Sequence, residues 1–307
     1  MRVVAALGGN ALLQRGEPAE AGIQRRHVAE AARSLAELAR DHELIVTHGN
    51  GPQVGLLALQ SAAYIEVAPY PFDVLGAESE GMIGYLLEQA LRNELPDRQV
   101  AALLTQVLVD RSDPAFAAPS KPIGPVYDEA TAHRLAEERG WTVMRDGDRW
   151  RRVVPSPQPR LIVELETIKS LVGLGAIVIC AGGGGIPVVR NGTGRLHGVE
   201  AVIDKDLSAA LLALELEADA LLLLTDVDGI QLDYGTPAAR PLRETTPDEL
   251  AELDLPAGSM GPKAEAARRF VDHGGSVAAI ASLSTARGAL DGTAGTIVQT
   301  GRLRAAH

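Results

Sequence analysis

Short apolar runs recur along the chain, and several of them stop at glycine. Residues 3–7 run into Gly8, Gly9 and Asn10, and residues 44–46 lead to His48-Gly49-Asn50-Gly51-Pro52. Residues 176–181 (Ala-Ile-Val-Ile-Cys-Ala) meet four consecutive glycines, Gly182, Gly183, Gly184 and Gly185, with Ile186-Pro-Val-Val189 beyond. Unbroken runs rich in Ile and Val predict strands buried on both faces, as in a parallel sheet covered by helices. Between the first two runs, Val28, Ala31, Leu35 and Leu38 fall at helical spacing, with Arg25, Arg26, Glu30, Arg33 and Glu37 on the other faces. That spacing predicts an amphipathic crossover helix over residues 20–41. A helix should start at Pro52, because proline at the first helical position has no N–H to leave unpaired. Another spans 74–95, with Met82-Ile83 and Leu86-Leu87 inward and Pro96 closing it, and a strand of residues 100–104 or longer follows. Further on, helices are expected over 163–172, 207–216 and 264–271, and strands over 220–224, 277–280 and 295–298. The βα alternation predicts a mainly parallel sheet with helices on both faces and ligands beyond the carboxyl ends of the strands.

Residues 110–160 break this pattern. Seven prolines lie between Pro114 and Pro159, around a short polar helix at 129–139. Asp146-Gly147 sits between two runs containing Trp, Val and Met, a strong hairpin signal. The segment is expected to be an inserted subdomain within one 1–307 domain, standing off the main sheet in a role such as a lid. Lys121, in Ser120-Lys-Pro-Ile-Gly-Pro125, is its residue best able to reach a ligand.

Composition narrows the partners. Hydrophobic residues make up 46% of the 307 and charged residues 22%, ordinary for a soluble globular chain. A net charge of −11, from 29 basic and 40 acidic residues, argues against nucleic acid or an anionic membrane as the main partner. A small anion in a local pocket is compatible with it. Cys180 is the one cysteine, so neither a disulfide framework nor a thiolate zinc site is available. The N-terminal apolar run is too short for a signal-peptide core, and no run reaches membrane-spanning length, which makes the cytosol the expected compartment.

The chain has no G-x-x-x-x-G-K-[ST] loop, no G-x-G-x-x-G after the first strand and no H-E-x-x-H pair. Its chemistry rests on glycine turns and lysines. Glycines at strand ends let main chain approach a ligand and turn N–H groups toward it, and Gly49 to Gly51 lie at a helix N-terminus that favours anions. Lys121, Lys205 and Lys263 each sit beside such a turn or a proposed ligand loop, and Asp204 or Asp206 is the expected N-cap of the 207–216 helix. Phosphoryl transfer requires this composition: phosphates held in line while positive groups offset the developing charge, usually with Mg²⁺. The residues thus point to a phosphotransferase acting on small molecules.

Several stretches together resemble one family. They are Leu7-Gly-Gly-Asn-Ala-Leu12, Thr47-His-Gly-Asn-Gly-Pro-Gln-Val-Gly55, Gly81-Met-Ile-Gly-Tyr85, Leu104-Thr-Gln-Val107 and Lys121-Pro-Ile-Gly-Pro125. With residues 181–187, 199–206 and 258–263 they are similar to the carbamate kinases of the amino acid kinase superfamily. The resemblance runs over residues 3–298 and implies a three-layer αβα sandwich with a small protruding subdomain. It also implies reversible transfer between ATP and carbamate, giving ADP and carbamoyl phosphate, with Mg²⁺ accompanying the nucleotide, in a cytoplasmic homodimer. No protein residue is assigned as a metal ligand.

Carried onto these positions, the family pattern has Gly8, Gly9, Asn10, Gly49, Asn50, Gly51, Gly182, Gly183, Gly184 and Gly185 hold the phosphoryl group and carbamate. Lys121 closes over the substrate. Lys205 and Lys263 stabilise the transferring group, and Asp206 orients both. Asp226, Val227, Tyr234 and Met260 fall at the nucleotide pocket. Where family members carry Val-Tyr, this chain has Ile230-Gln231. Another small-acceptor kinase of the same fold and an inactive nucleotide-binding protein stay open beside this reading, as does the direction of the reaction, toward ATP as in arginine metabolism or toward carbamoyl phosphate.

Overall fold

The computed structural model describes residues 1–14, 16–256, 258 and 260–301, without the side chain of Asn10. In chain order the first elements are β1 (Arg2–Leu7), α1 (Ala21–Asp41), β2 (Glu43–His48), α2 (Gly51–Ala63), α3 (Phe72–Glu94) and β3 (Val100–Ala102). Then come β4 (Gln106–Val109), β5 (Lys121–Tyr127), α4 (Glu129–Arg139), β6 (Thr142–Asp146), β7 (Arg149–Val154) and β8 (Pro159–Ile162). The middle of the chain forms α5 (Leu165–Gly173), β9 (Ile177–Ile179), β10 (Ile186–Arg190), β11 (Leu196–Gly198), α6 (Lys205–Glu215) and β12 (Ala220–Thr225). It ends with β13 (Gln231–Leu232), β14 (Arg240–Pro241), β15 (Glu244–Thr245), α7 (Pro247–Ala251), α8 (Met260–Asp272), β16 (Val277–Ser282), α9 (Ala286–Leu290) and β17 (Thr296–Val298).

The main sheet has the order β15-β17-β16-β12-β1-β2-β9-β3. All its pairings are parallel except β16 with β17, so the expected strand at 295–298 runs against its neighbour. Side chains alternate across β1 because the strand period is two. Val4 and Ala6 enter one core with Ala209, Leu212 and Phe270, from α6 and α8. Val3, Ala5 and Leu7 enter a second core with Val28, Leu35, Ile83 and Leu87, from α1 and α3. Two cores on opposite faces make the three-layer α/β sandwich.

Four strands, β11-β10-β4-β8, form a second sheet, and the expected strand at 100–104 is therefore divided. Residues 100–102 stay in the main sheet, while 106–109 cross to pair with β10 and β8. The inserted segment is a three-stranded antiparallel sheet, β5-β7-β6, with α4 against it. Gly147, at φ +66°, makes the turn between β6 and β7. This unit seats on α2 where two glycines meet: a Cβ on Gly55 would come 2.6 Å from the Cα of Gly124. One helix lay unforeseen in the polar stretch 233–257. It is α7, whose capping box joins Thr246 to Glu249 with Pro247 at its start.

Candidate active site

Parallel pairing aligns β1, β2, β9 and β12, so their carboxyl ends reach the same edge of the sheet. Gly8 leaves β1 with its N–H donating to Leu224 O at 2.8 Å, and the Gly49 N–H donates to Leu7 O at 2.9 Å. A Cβ on Gly49 would lie 2.9 Å from Gly9 N and 3.3 Å from Lys205 Cδ, so these turns are in direct contact. Gly9 opens a short 3₁₀ turn that includes Asn10, whose side chain lies outside the described residues. Asn50 occupies the N-cap position of α2 and is buried; its Nδ2 donates to Ser79 Oγ at 2.8 Å. Gly51, the first residue of α2, is exposed.

The glycine run ends β9 because Ala181 adopts a left-handed conformation, φ 51°. Gly183, Gly184 and Gly185 all have positive φ, which only glycine adopts without penalty. Space is equally restrictive. A Cβ on Gly183 would overlap the Asn50 amide, one on Gly182 would overlap the His48 ring, and one on Gly184 would lie 2.5 Å from Ile203 O. The expected reason for four glycines was access to a ligand; close packing accounts for them as well. The N–H groups of Gly182, Gly184 and Gly185 already donate to Glu80, Ala181 O and Gly182 O. The run is therefore a tightly shaped wall, with much of its donor capacity used inside the protein.

The lysines gather at the start of α6. Asp204 caps that helix, its Oδ1 accepting from the N–H groups of Asp206 at 2.9 Å and Leu207 at 3.3 Å. Its Oδ2 accepts from Lys121 Nζ at 2.5 Å, which ties the inserted unit to α6. Asp206 Oδ1 accepts from Lys205 Nζ at 2.5 Å, and Oδ2 from Lys263 Nζ at 3.2 Å. Burial would raise the Asp206 carboxyl, but the two ammonium groups outweigh it and hold the group below the usual carboxylate range. Burial pushes the Lys205 ammonium down, against the pull of Asp206. Two ammonium groups on one carboxylate leave a net positive centre at a helix N-terminus, beside Gly49. That arrangement suits a multiply charged anion.

The residues expected at the nucleotide pocket are more dispersed. Asp226 follows β12, exposed, and its Oδ1 accepts from Thr225 Oγ1 at 3.0 Å; the Cα of Thr225 lies 3.6 Å from where a Gly8 Cβ would stand. Val227 and Tyr234 are also exposed, Tyr234 by 78%. Met260 begins α8 and packs on the core. Ile230 is buried, its N–H donating to Thr296 Oγ1 at 2.8 Å, while Gln231 faces outward in β13.

Sequence reasoning missed the groups behind the glycine run. Glu80 is 3% exposed and accepts from the N–H groups of Gly182 at 2.8 Å and Thr105 at 3.2 Å. Burial pushes its carboxyl up to about 8. His48 is fully buried; burial lowers its imidazole to about 4, and its Nε2 has no partner. The signal for Glu80 was present: it lies beside Ser79 on the face of α3 that also carries Leu75, Ile83 and Leu87 inward.

Residues 1–282 match the amino acid kinase family. A carbamate kinase of Rhizobium meliloti is 53% identical over 303 residues, spanning 98% of this chain and 94% of that protein. One of Pyrococcus furiosus is 52% identical over 310 residues, spanning 97% and 98%. Among solved structures, the carbamate kinase from Giardia lamblia bound to AMP-PNP superposes with a TM-score of 0.89 at 41% identity, covering 98% of each chain.

Proposed function

This chain belongs to the amino acid kinase family and groups with its carbamate kinases, and from that premise we infer that it transfers a phosphoryl group reversibly between ATP and carbamate. One observation carries the reading to particular residues: two lysines share one buried aspartate beside converging glycine turns. In the forward direction a carbamate oxygen attacks the γ-phosphorus, and the bond from that phosphorus to the ADP oxygen breaks. Negative charge then spreads over the phosphoryl oxygens and the leaving phosphate. Lys205 and Lys263 offset it, held in place by Asp206 so that little reorganisation is needed during transfer.

Gly8, Gly9, Asn10, Gly49, Asn50, Gly51, Gly182, Gly183, Gly184 and Gly185 bound the space for carbamate and the transferring group. Lys121 closes over them from the inserted unit, anchored by Asp204. Asp226, Val227, Tyr234 and Met260 serve the nucleotide. Mg²⁺ enters as part of the nucleotide substrate, its oxygen ligands supplied by the phosphates. Exposed Met82 and Tyr85 on α3, with exposed Leu104 just beyond edge strand β3, favour a homodimer through this face. No described helix is long and apolar enough to cross a membrane, and a cytoplasmic place in arginine metabolism completes the reading.

Acceptor choice tests it. With ATP and Mg²⁺, ADP release should be fastest with carbamate and weak with acetate or N-acetylglutamate. A higher rate with another carboxylate would make the chain a different small-acceptor kinase. Nucleotide binding with no transfer to any acceptor would make it a binding protein.

A further inference from the structure

Two stretches singled out in the sequence, Leu104-Thr-Gln-Val107 and the part of α3 around Gly81, have no role in the reaction as described. Both lie behind the glycine run. Glu80 accepts from the Gly182 N–H with Oε1 at 2.8 Å and from the Thr105 N–H with Oε2 at 3.2 Å. Thr105 Oγ1 accepts from the Ala181 N–H at 2.9 Å and donates to Leu103 O at 3.0 Å. At the far end of the run, Thr105 O accepts from the Ile186 N–H at 2.8 Å. One carboxyl and one threonine therefore hold the run at its entry, its first glycine and its exit.

The run needs such support. Ala181 is left-handed, and three consecutive glycines have positive φ. Backbone of that kind persists where its surroundings over-determine it. Thr47 Oγ1 adds a bond to Ala181 O at 2.8 Å, and Ser208 Oγ one to Gly184 O at 2.7 Å. Those two come from the ligand-side elements β2 and α6. Glu80 and Thr105 hold the run from α3 and from the β3–β4 connection.

We propose that Glu80 and Thr105 are positioning residues for phosphoryl transfer, fixing the glycine run against which the transferring group is held. The proposal rests on the reaction inferred above. Displacing that wall by about 1 Å would spoil the in-line geometry on which transfer depends. The choice of a buried carboxyl is chemically consistent. With burial pushing it up to about 8, Glu80 braces the run at neutral pH largely without its charge, so it does not cancel the positive field of the lysines. The groups facing it from other elements are His48 on β2, Cys180 just after β9 and Glu164 just before α5.

The test compares E80A, E80Q and T105V with the unchanged protein by two readouts. One is hydrogen–deuterium exchange of the peptide covering residues 178–190. The other is kcat and KM for ADP and carbamoyl phosphate. E80A and T105V should speed exchange in that peptide and lower kcat at least tenfold, leaving KM for ADP within twofold. E80Q keeps an acceptor for the Gly182 N–H but sets its amide NH2 against the Thr105 N–H, so it should fall between wild type and E80A in both readouts. Unchanged exchange and kcat in E80A would overturn the proposal, as would E80Q damaged as severely as E80A. If E80A does not fold, T105V and E80Q decide by the same readouts. Wild-type protein inactive toward carbamoyl phosphate would refute the reaction instead, and the exchange measurement would still decide the brace.

Discussion

Lys205 is the residue whose surroundings say most about its work. Its ammonium is 2.5 Å from a buried carboxylate, its stem touches the Gly49 turn, and it opens a helix. Lys205→Met keeps the length and removes the charge. It should lower kcat by roughly a thousandfold, as loss of a group that stabilises transition-state charge does. Circular dichroism should show an unchanged fold. Near-normal turnover in that variant would remove Lys205 from the mechanism.

His48 and Glu80 tie stability to pH in opposite senses. Burial lowers His48 from 6.5 to about 4, so across that interval the folded chain binds fewer protons than the unfolded chain, and acid destabilises it. Burial raises Glu80 from 4.5 to about 8, so the folded chain keeps a proton the unfolded chain releases, and stability falls as pH rises. The slopes oppose each other between 4.5 and 6.5 and leave a net decline above 6.5. From pH 6.5 to 8 the decline should be on the order of 1–2 kcal/mol, or a few degrees in Tm. E80Q cannot titrate and should be flat over that range. A decline of equal size in E80Q would assign the proton to another group.

Among elements, the glycine run shows how sequence and structure divide the information. Gly183 has φ +68°, and a Cβ there would overlap Asn50. Gly183→Ala should therefore reduce kcat more than tenfold and destabilise the fold by about 2 kcal/mol, checked by steady-state kinetics and chemical denaturation. Wild-type kinetics would mean the wall tolerates rearrangement. That glycines end the strands was legible from apolar runs stopping at them. That the run is packed against Asn50, His48 and Ile203 was not, because those contacts join residues more than a hundred positions apart or depend on a carbonyl direction. The α6 cap was readable only as Asp204 or Asp206 before an apolar helix; that it is Asp204, with Lys121 on its other oxygen, is a tertiary fact. Glu80 carried a local sign, a charged residue on an inward helix face, that the 74–95 periodicity alone did not weigh. The α7 helix was also readable: Thr246-Pro-Asp-Glu249 is a capping box with proline at the first position, obscured by the polar residues around it. The break between β3 and β4 was not, since the apolar residues on either side of Thr105-Gln106 read as one strand yet serve two sheets.

At the scale of the molecule, a chain of net charge −11 concentrates positive groups at one edge of its sheet. The inserted three-stranded unit adds a third lysine through its bond to Asp204. If that unit is a lid, Lys121→Ala should raise KM for carbamoyl phosphate about tenfold with a smaller change in kcat, consistent with lost substrate binding. A change in stability alone would leave the unit a structural appendage. Association through α3 and the β3 edge should give a particle of twice the 32.3 kDa chain mass by light scattering, and a Tyr85→Glu variant should shift it toward the monomer. A monomeric wild-type protein would reject that interface. The lysine and glycine edge should pass a phosphoryl group between carbamoyl phosphate and ADP. A coupled assay of ATP formation from carbamoyl phosphate and Mg·ADP, run on wild type and Lys205→Met side by side, tests it most directly. Wild type should form ATP in step with carbamoyl phosphate consumed and the variant should not, whereas ATP formation by neither protein, or equally by both, would contradict the account.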